Sequence, residues 1–161
     1  MKGKIVFILL VLVLFGSVGL FAQEWGYIKP TFGVGVAYSF DDYENNTTFP
    51  VVLDIDFVSA IGLAIEFQAS TLWSGEYYFF PVFAGGVGYT HTDLNWSAGG
   101  KLMVVGQAGS RGIGLCGNGT WWLNEFIGLT GIFNFSYFNF GINPGDQWSA
   151  VSLCIGVSTK I

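Results

Sequence analysis

From Trp148 to its last residue the chain alternates without a break. Val151, Leu153, Ile155, Val157, Thr159 and Ile161 fall on one parity; Ala150, Ser152, Cys154, Gly156, Ser158 and Lys160 fall on the other. A period of two is the signature of a β-strand with one apolar face and one small or polar face. The same alternation recurs upstream and divides the chain into eight candidate strands: 26–40, 49–58, 62–73, 77–90, 94–105, 111–122, 126–138 and 148–161. Each is long enough to cross a bilayer when tilted, which takes about 9–11 residues. The strand at 77–90 is apolar on both parities, which leaves its facing open, and 111–122 is the weakest because it is rich in glycine.

Charge placement tests this division. Asp41, Asp42, Glu44, Glu76, Arg111 and Asp146 fall in or beside one set of links, and Glu24, Asp93 and Glu125 at the other end. Six charges remain within strands: Lys29, Asp54, Asp56, Glu66, Lys101 and Lys160. All six sit on the small, polar parity. A lysine facing lipid at mid-depth costs about 2–4 kcal/mol, so lipid would impose this segregation. A soluble half-buried sheet would show it too, and glycine separates the two cases. The polar parity carries Gly33, Gly35, Gly99, Gly112, Gly114, Gly128 and Gly156, whereas the other carries Phe, Tyr, Trp, Leu and Ile. Eight strands enclose an interior only just wide enough for side chains. Small residues therefore belong inside and large apolar ones outside, against lipid.

The N-terminus reads as an export signal. Lys2 and Lys4 precede an almost wholly apolar run from Ile5 to Phe21, and Ala22–Gln23 is a cleavage site of the small-residue kind. This divides the chain into a signal peptide, 1–22, and a barrel domain, 23–161. No cysteine follows the apolar run, which excludes a lipoprotein anchor. After cleavage four basic residues face eleven acidic ones, a net charge near −7. There is no basic patch, so nucleic acid is excluded as a partner.

Signal peptide, eight amphipathic strands, aromatic-rich apolar face and an apolar closing strand together resemble the small bacterial outer-membrane β-barrels of the OmpX and OmpA-transmembrane type. The resemblance implies an all-β, eight-stranded, antiparallel, up-and-down transmembrane barrel in the outer membrane. It also implies outer-membrane lipids and the barrel-assembly machinery as partners, with Val157, Thr159 and Ile161 as the C-terminal assembly signal. Related barrels usually end in Phe, where this chain has Ile161. Pro30 and Pro81 lie inside predicted strands, and each removes a ladder donor, so a bulge or strand end is expected there. Closing the eighth strand on the first brings Lys160 near Lys29, and strands two and three add Asp54, Asp56 and Glu66. With Lys101 these form the expected ion-pair cluster of the lumen, neutral at three against three.

Chemistry-bearing motifs are sparse. The one histidine, His91, falls in a predicted inner turn, too far from the outer links to serve as a base at the outer leaflet. No catalytic, cofactor or metal site is expected. Gly85-Gly86-Val87-Gly88 does not open a helix, so it is no nucleotide loop. Cys116 and Cys154 lie two strands apart, too far for a relaxed disulfide, and read as free thiols packed inside. Trp25, Tyr27, Trp73, Tyr77, Tyr89, Trp96, Trp121, Trp122 and Trp148 fall near strand ends, where an interfacial girdle would hold them. The reading is a structural outer-membrane barrel with small surface loops suited to adhesion or interaction, not an enzyme. Its alternatives are a narrow pore for small or apolar molecules and a soluble secreted barrel with a lipophilic ligand.

Overall fold

A computed structural model describes residues 25–41, 46–74, 78–107, 110–141 and 148–161. These form β1 (Trp25–Asp41), β2 (Asn46–Thr48), β3 (Val51–Ser59), β4 (Leu63–Ser74), β5 (Tyr78–Thr92), β6 (Trp96–Gln107), β7 (Ser110–Trp122), β8 (Ile127–Gly141) and β9 (Trp148–Thr159). Neighbours pair antiparallel, and β9 pairs back onto β1, so the sheet closes. β2 and β3 are one wall of the barrel. Both pair with β1 in a single register, Ala37 opposite Thr48 and Val34 opposite Val51. Pro50 interrupts them, yet its carbonyl still accepts from the Gly35 amide at 3.1 Å. The closed barrel therefore has eight strands, as the alternation predicts. The expected link Asp41–Thr48 is shorter than read, because Asn46–Thr48 is strand.

Register fixes the shape. Partners lead from Lys29 through Asp56, Glu66, Gly86, Met103, Gly114, Ser136 and Ala150 to Ser39, ten residues further along β1. With strands about 4.8 Å apart and a rise of about 3.3 Å per residue, that stagger tilts the strands by about 40°. Facing follows the alternation. Phe32, Leu53, Phe67, Leu102, Leu115, Leu129 and Leu153 are exposed on the outside, while Val52, Met103, Ile132 and Phe138 are buried inside. β5 takes the same sense, with Phe83, Val87 and Tyr89 outward and Val82 and Thr90 inward. Among the described residues there is no helix.

The prolines stand at a gap or an end of a ladder. Pro30 lies between the reciprocal Ile28–Ile161 backbone bonds and the first β1–β9 register pair at Thr31. Pro81 lies one residue beyond the end of the β5–β6 ladder, which starts at Val82. His91 departs from its expected place: it is in β5, exposed, with its ring 5.2 Å from that of Trp96. The β3–β4 turn needs Gly62, whose φ of 87° suits no side chain well, and a Cβ there would lie 2.9 Å from the Thr90 carbonyl and closer still to the Tyr89 ring. Gly62→Val is expected to destabilise the barrel by about 1–3 kcal/mol. A lower urea midpoint for loss of the heat-modifiable form in detergent would register this.

Candidate functional site

The charged residues meet inside the barrel because cross-strand register puts them there. Lys29 on β1 stands opposite Asp56 on β3, and Asp56 stands opposite Glu66 on β4. Two acids facing each other on neighbouring strands repel. Lys101 relieves that repulsion from β6, two strands beyond Glu66. Its ammonium lies 2.5 Å from Asp56 Oδ1 and 2.5 Å from Glu66 Oε2. Lys29 Nζ closes on Asp56 Oδ2 at 3.0 Å. All four side chains are buried.

β5 makes the crossing possible. It lies between β4 and β6, and it offers Gly86 opposite Glu66 and Gly88 opposite Lys101. A Cβ on Gly88 would strike the Lys101 side chain and the Gly100 carbonyl. Glycine at 88 leaves the space that the lysine stem fills, and glycine at 86 the space taken by the Met103 side chain.

Hydrogen bonds extend the network around the wall. Asn118 Nδ2 donates to Asp56 Oδ2 at 2.9 Å. Gln68 Nε2 donates to Glu66 Oε1 at 3.3 Å, and Asn134 Nδ2 donates to Gln68 Oε1 at 3.1 Å. On the other side Lys29 Nζ donates to Thr120 Oγ1 at 3.4 Å, and Thr120 shares a bond with Thr130 at 2.8 Å. Thr130 bonds Ser158, which bonds Thr31 at 2.6 Å. Outward of Gln68 and Asn134 lies a cavity of about 40 Å³, lined also by Ser70, Met103, Phe138 and Ser152. That is room for water and far below the roughly 300–1,000 Å³ of a ligand pocket.

Two of the six expected lumen charges behave differently from the rest. Lys160 does not join the acids. Its ammonium lies 4.6 Å from the centroid of the Tyr27 ring and 5.6 Å from that of Trp122. Both rings are buried, meet edge to face at 6.3 Å, and close the inner end of the lumen. Tyr27 and Trp122 therefore leave the girdle that strand-end position suggested, because their parity is the inward one. Tyr89, Trp96 and Trp121 do face outward; the side chains of Trp25, Trp73, Tyr77 and Trp148 lie outside the described residues. Asp54 is buried beside the network, but neither carboxylate oxygen has a hydrogen-bond partner. One oxygen from each of Asp54, Asp56 and Glu66 lies within 4.8 Å of the others, near enough to share a cation. The Lys101 ammonium already serves two of the three. Cys116 and Cys154 are free and buried. Val157 and Ile161 are exposed on the outer face of the closing strand, and the Ile161 backbone is bonded to that of Ile28 in both directions, at 2.9 and 3.0 Å.

No family model and no curated protein matches the chain. Solved structures do. Neisserial surface protein A is similar at a TM-score of 0.65 and 12% identity, over 83% of this chain and 97% of that one. A de novo designed transmembrane β-barrel is similar at 0.50 and 14% identity, over 81% and 95%. Ail, the attachment invasion locus protein of Yersinia pestis, solved with the heparin analogue sucrose octasulfate, is similar at 0.50 and 8% identity, over 84% and 99%. The chain has the fold of a small transmembrane β-barrel of the outer-membrane kind.

Asp56 and Asp54 should differ sharply on substitution. Asp56→Ala takes from the buried Lys29 ammonium its one ion-pair partner and leaves Lys101 with Glu66 alone; it is expected to cost on the order of 3–5 kcal/mol, whereas Asp54→Asn removes a charge that no partner holds and should leave stability unchanged or raised. Urea unfolding of the two variants in micelles measures the contrast.

Proposed function

We propose that this chain is a structural protein of the bacterial outer membrane, with a closed lumen and surface links that mediate contact, and that it is not an enzyme. The observation that carries this reading is the pairing of an apolar outer face with a filled interior. Side chains exposed outward from every wall are Phe, Leu, Ile, Val and Tyr, which water would not tolerate over so large an area. Inside, ion pairs, buried Met103, Ile132 and Phe138, and the Tyr27–Trp122 pair occupy the cross-section. This favours a plug over a pore.

Outer-membrane lipids are the partners of the apolar face, and the assembly machinery those of the closing strand through Val157, Thr159 and Ile161. Residues 1–22 are the export signal and 23–161 the mature barrel. Asp41, Asp42, Glu44, Glu76 and Asp146 make the outer links acidic. A surface ligand is therefore neutral or cationic here, unlike the polyanion seen with Ail.

Expressed with its leader in a bacterium that has an outer membrane, the chain is expected in the outer-membrane fraction, with the mass of residues 23–161; a soluble exported product would overturn the reading. In planar bilayers the purified protein should show no steady conductance. Deleting residues 157–161 removes strand pairs to both β1 and β8. It should lower the yield of protease-resistant, heat-modifiable barrel without blocking export, while Ile161→Phe should insert at least as well as the parent.

A further inference from the structure

The inner end of the barrel holds the β3–β4, β5–β6 and β7–β8 turns and the end of the chain. It is more apolar than an end standing in water. Among the described residues the three most exposed large apolar side chains are Leu94 (91%), Ile61 (80%) and Ile161 (78%), and all three lie at this end. Leu123 and Phe126 are exposed in the remaining inner turn. Every inner turn thus holds an apolar side chain outward.

Two polar side chains of these turns bond the turn backbone. Asp93 Oδ1 accepts from the Leu94 amide at 2.7 Å. Asn124 Oδ1 accepts from the amides of Phe126 and Ile127, each at 2.8 Å. The Gly62 amide donates to the Ser59 carbonyl at 2.9 Å, and that of Trp122 to the Asn95 carbonyl at 2.9 Å. A turn with its amides bonded in this way can leave bulk water, because lipid satisfies no backbone group.

The height of the apolar belt supports the same placement. A strand tilted by about 40° climbs about 2.5 Å per residue, so an apolar band of about 25 Å takes roughly 10 residues. Counted from the inner turns, that length ends near a polar residue of the outward parity. From Ile61 it reaches Thr71; from Leu123, the neighbourhood of exposed Arg111; from Ile161, the neighbourhood of Ser149.

We propose that the inner end of the barrel is seated within the inner leaflet, so that Ile61, Leu94, Leu123, Phe126 and Ile161 contact phospholipid at the boundary between acyl chains and headgroups. The belt described above leads into these turns, with His91 and Thr159 as exposed polar residues near its inner edge, and the inference rests on the reading of that belt as lipid-facing. Asp93 and Glu125, both exposed, then lie at headgroup level.

Site-directed spin labelling of the mature barrel tests this in vesicles of phosphatidylethanolamine and phosphatidylglycerol. The variants are Ile61→Cys, Leu94→Cys and, at the middle of the belt, Ile155→Cys, with the parent as a blank for the buried native thiols. At all three positions the nitroxide is expected to collide more with oxygen than with a water-soluble nickel chelate, most strongly at 155. If the labels at 61 and 94 meet the nickel chelate as readily as those on the urea-unfolded chain while 155 stays protected, the seating is wrong and the membrane reading stands. Free access of nickel at 155 as well would overturn both.

Discussion

Closure is the constraint from which the rest follows. A transmembrane sheet has no water along its length to bond an open edge, so every strand must have two neighbours. Here the last strand returns to the first over the pairs from Thr31–Ser158 to Asp41–Trp148, and the reciprocal Ile28–Ile161 bonds continue the seam to the chain's end. The same rule governs the prolines. Pro30, Pro50 and Pro81, the three among the described residues, sit at a gap in the seam, at a break between two pieces of one wall, and past the end of a ladder.

Closing at eight strands with a stagger of ten leaves a narrow lumen, and that narrowness selects what can stand inside. The Lys101 stem lies over Gly88, where a side chain would collide with it, and Gly86 beside Glu66 makes room for Met103. The network is not balanced. Two ammonium groups, Lys29 and Lys101, serve Asp56 and Glu66, and Asp54 is left over. Lys160, the cation that would have matched it, is engaged instead by the faces of two aromatic rings, where the attraction comes from the ring quadrupole and needs no counter-charge.

Much of this was legible in the sequence, and the exceptions share a cause. Period two located every wall, because lipid outside and a tight lumen inside sort residues by parity at each position. The same period brought Lys29, Asp56, Glu66 and Lys101 to one face. What parity does not specify is depth and direction around the lumen. Lys160 has the right face, yet it ends among Tyr27 and Trp122 because their rings fill the cross-section at its level. Those two aromatics were read as girdle from their nearness to strand ends, while their parity already pointed inward. The facing of β5 could not be read from its own residues, since Val82 and Phe83 are both apolar. Its register with the neighbours shows it: Gly86 stands opposite Glu66 and Gly88 opposite Lys101. Asn46–Thr48 falls in the expected link, yet it pairs with β1 on the far side of Pro50.

The buried charges also answer a problem that the outer face creates. A slip of one residue would turn a strand inside out, carrying Asp54 and Asp56 to lipid, and is strongly resisted. A slip of two preserves parity, and lipid barely opposes it, since Leu53, Ile55 and Phe57 are nearly interchangeable towards acyl chains. The lumen does oppose it. Moving β6 by two residues would set Gly99 or Met103 opposite Gly88 in place of Lys101. Asp56 and Glu66, which face each other across β3 and β4, would then lose the ammonium between them, two buried carboxylates in contact with no shared cation. The network of Lys29, Asp56, Glu66 and Lys101 thus distinguishes registers that the outer face, apolar at every second position, leaves nearly equal in energy.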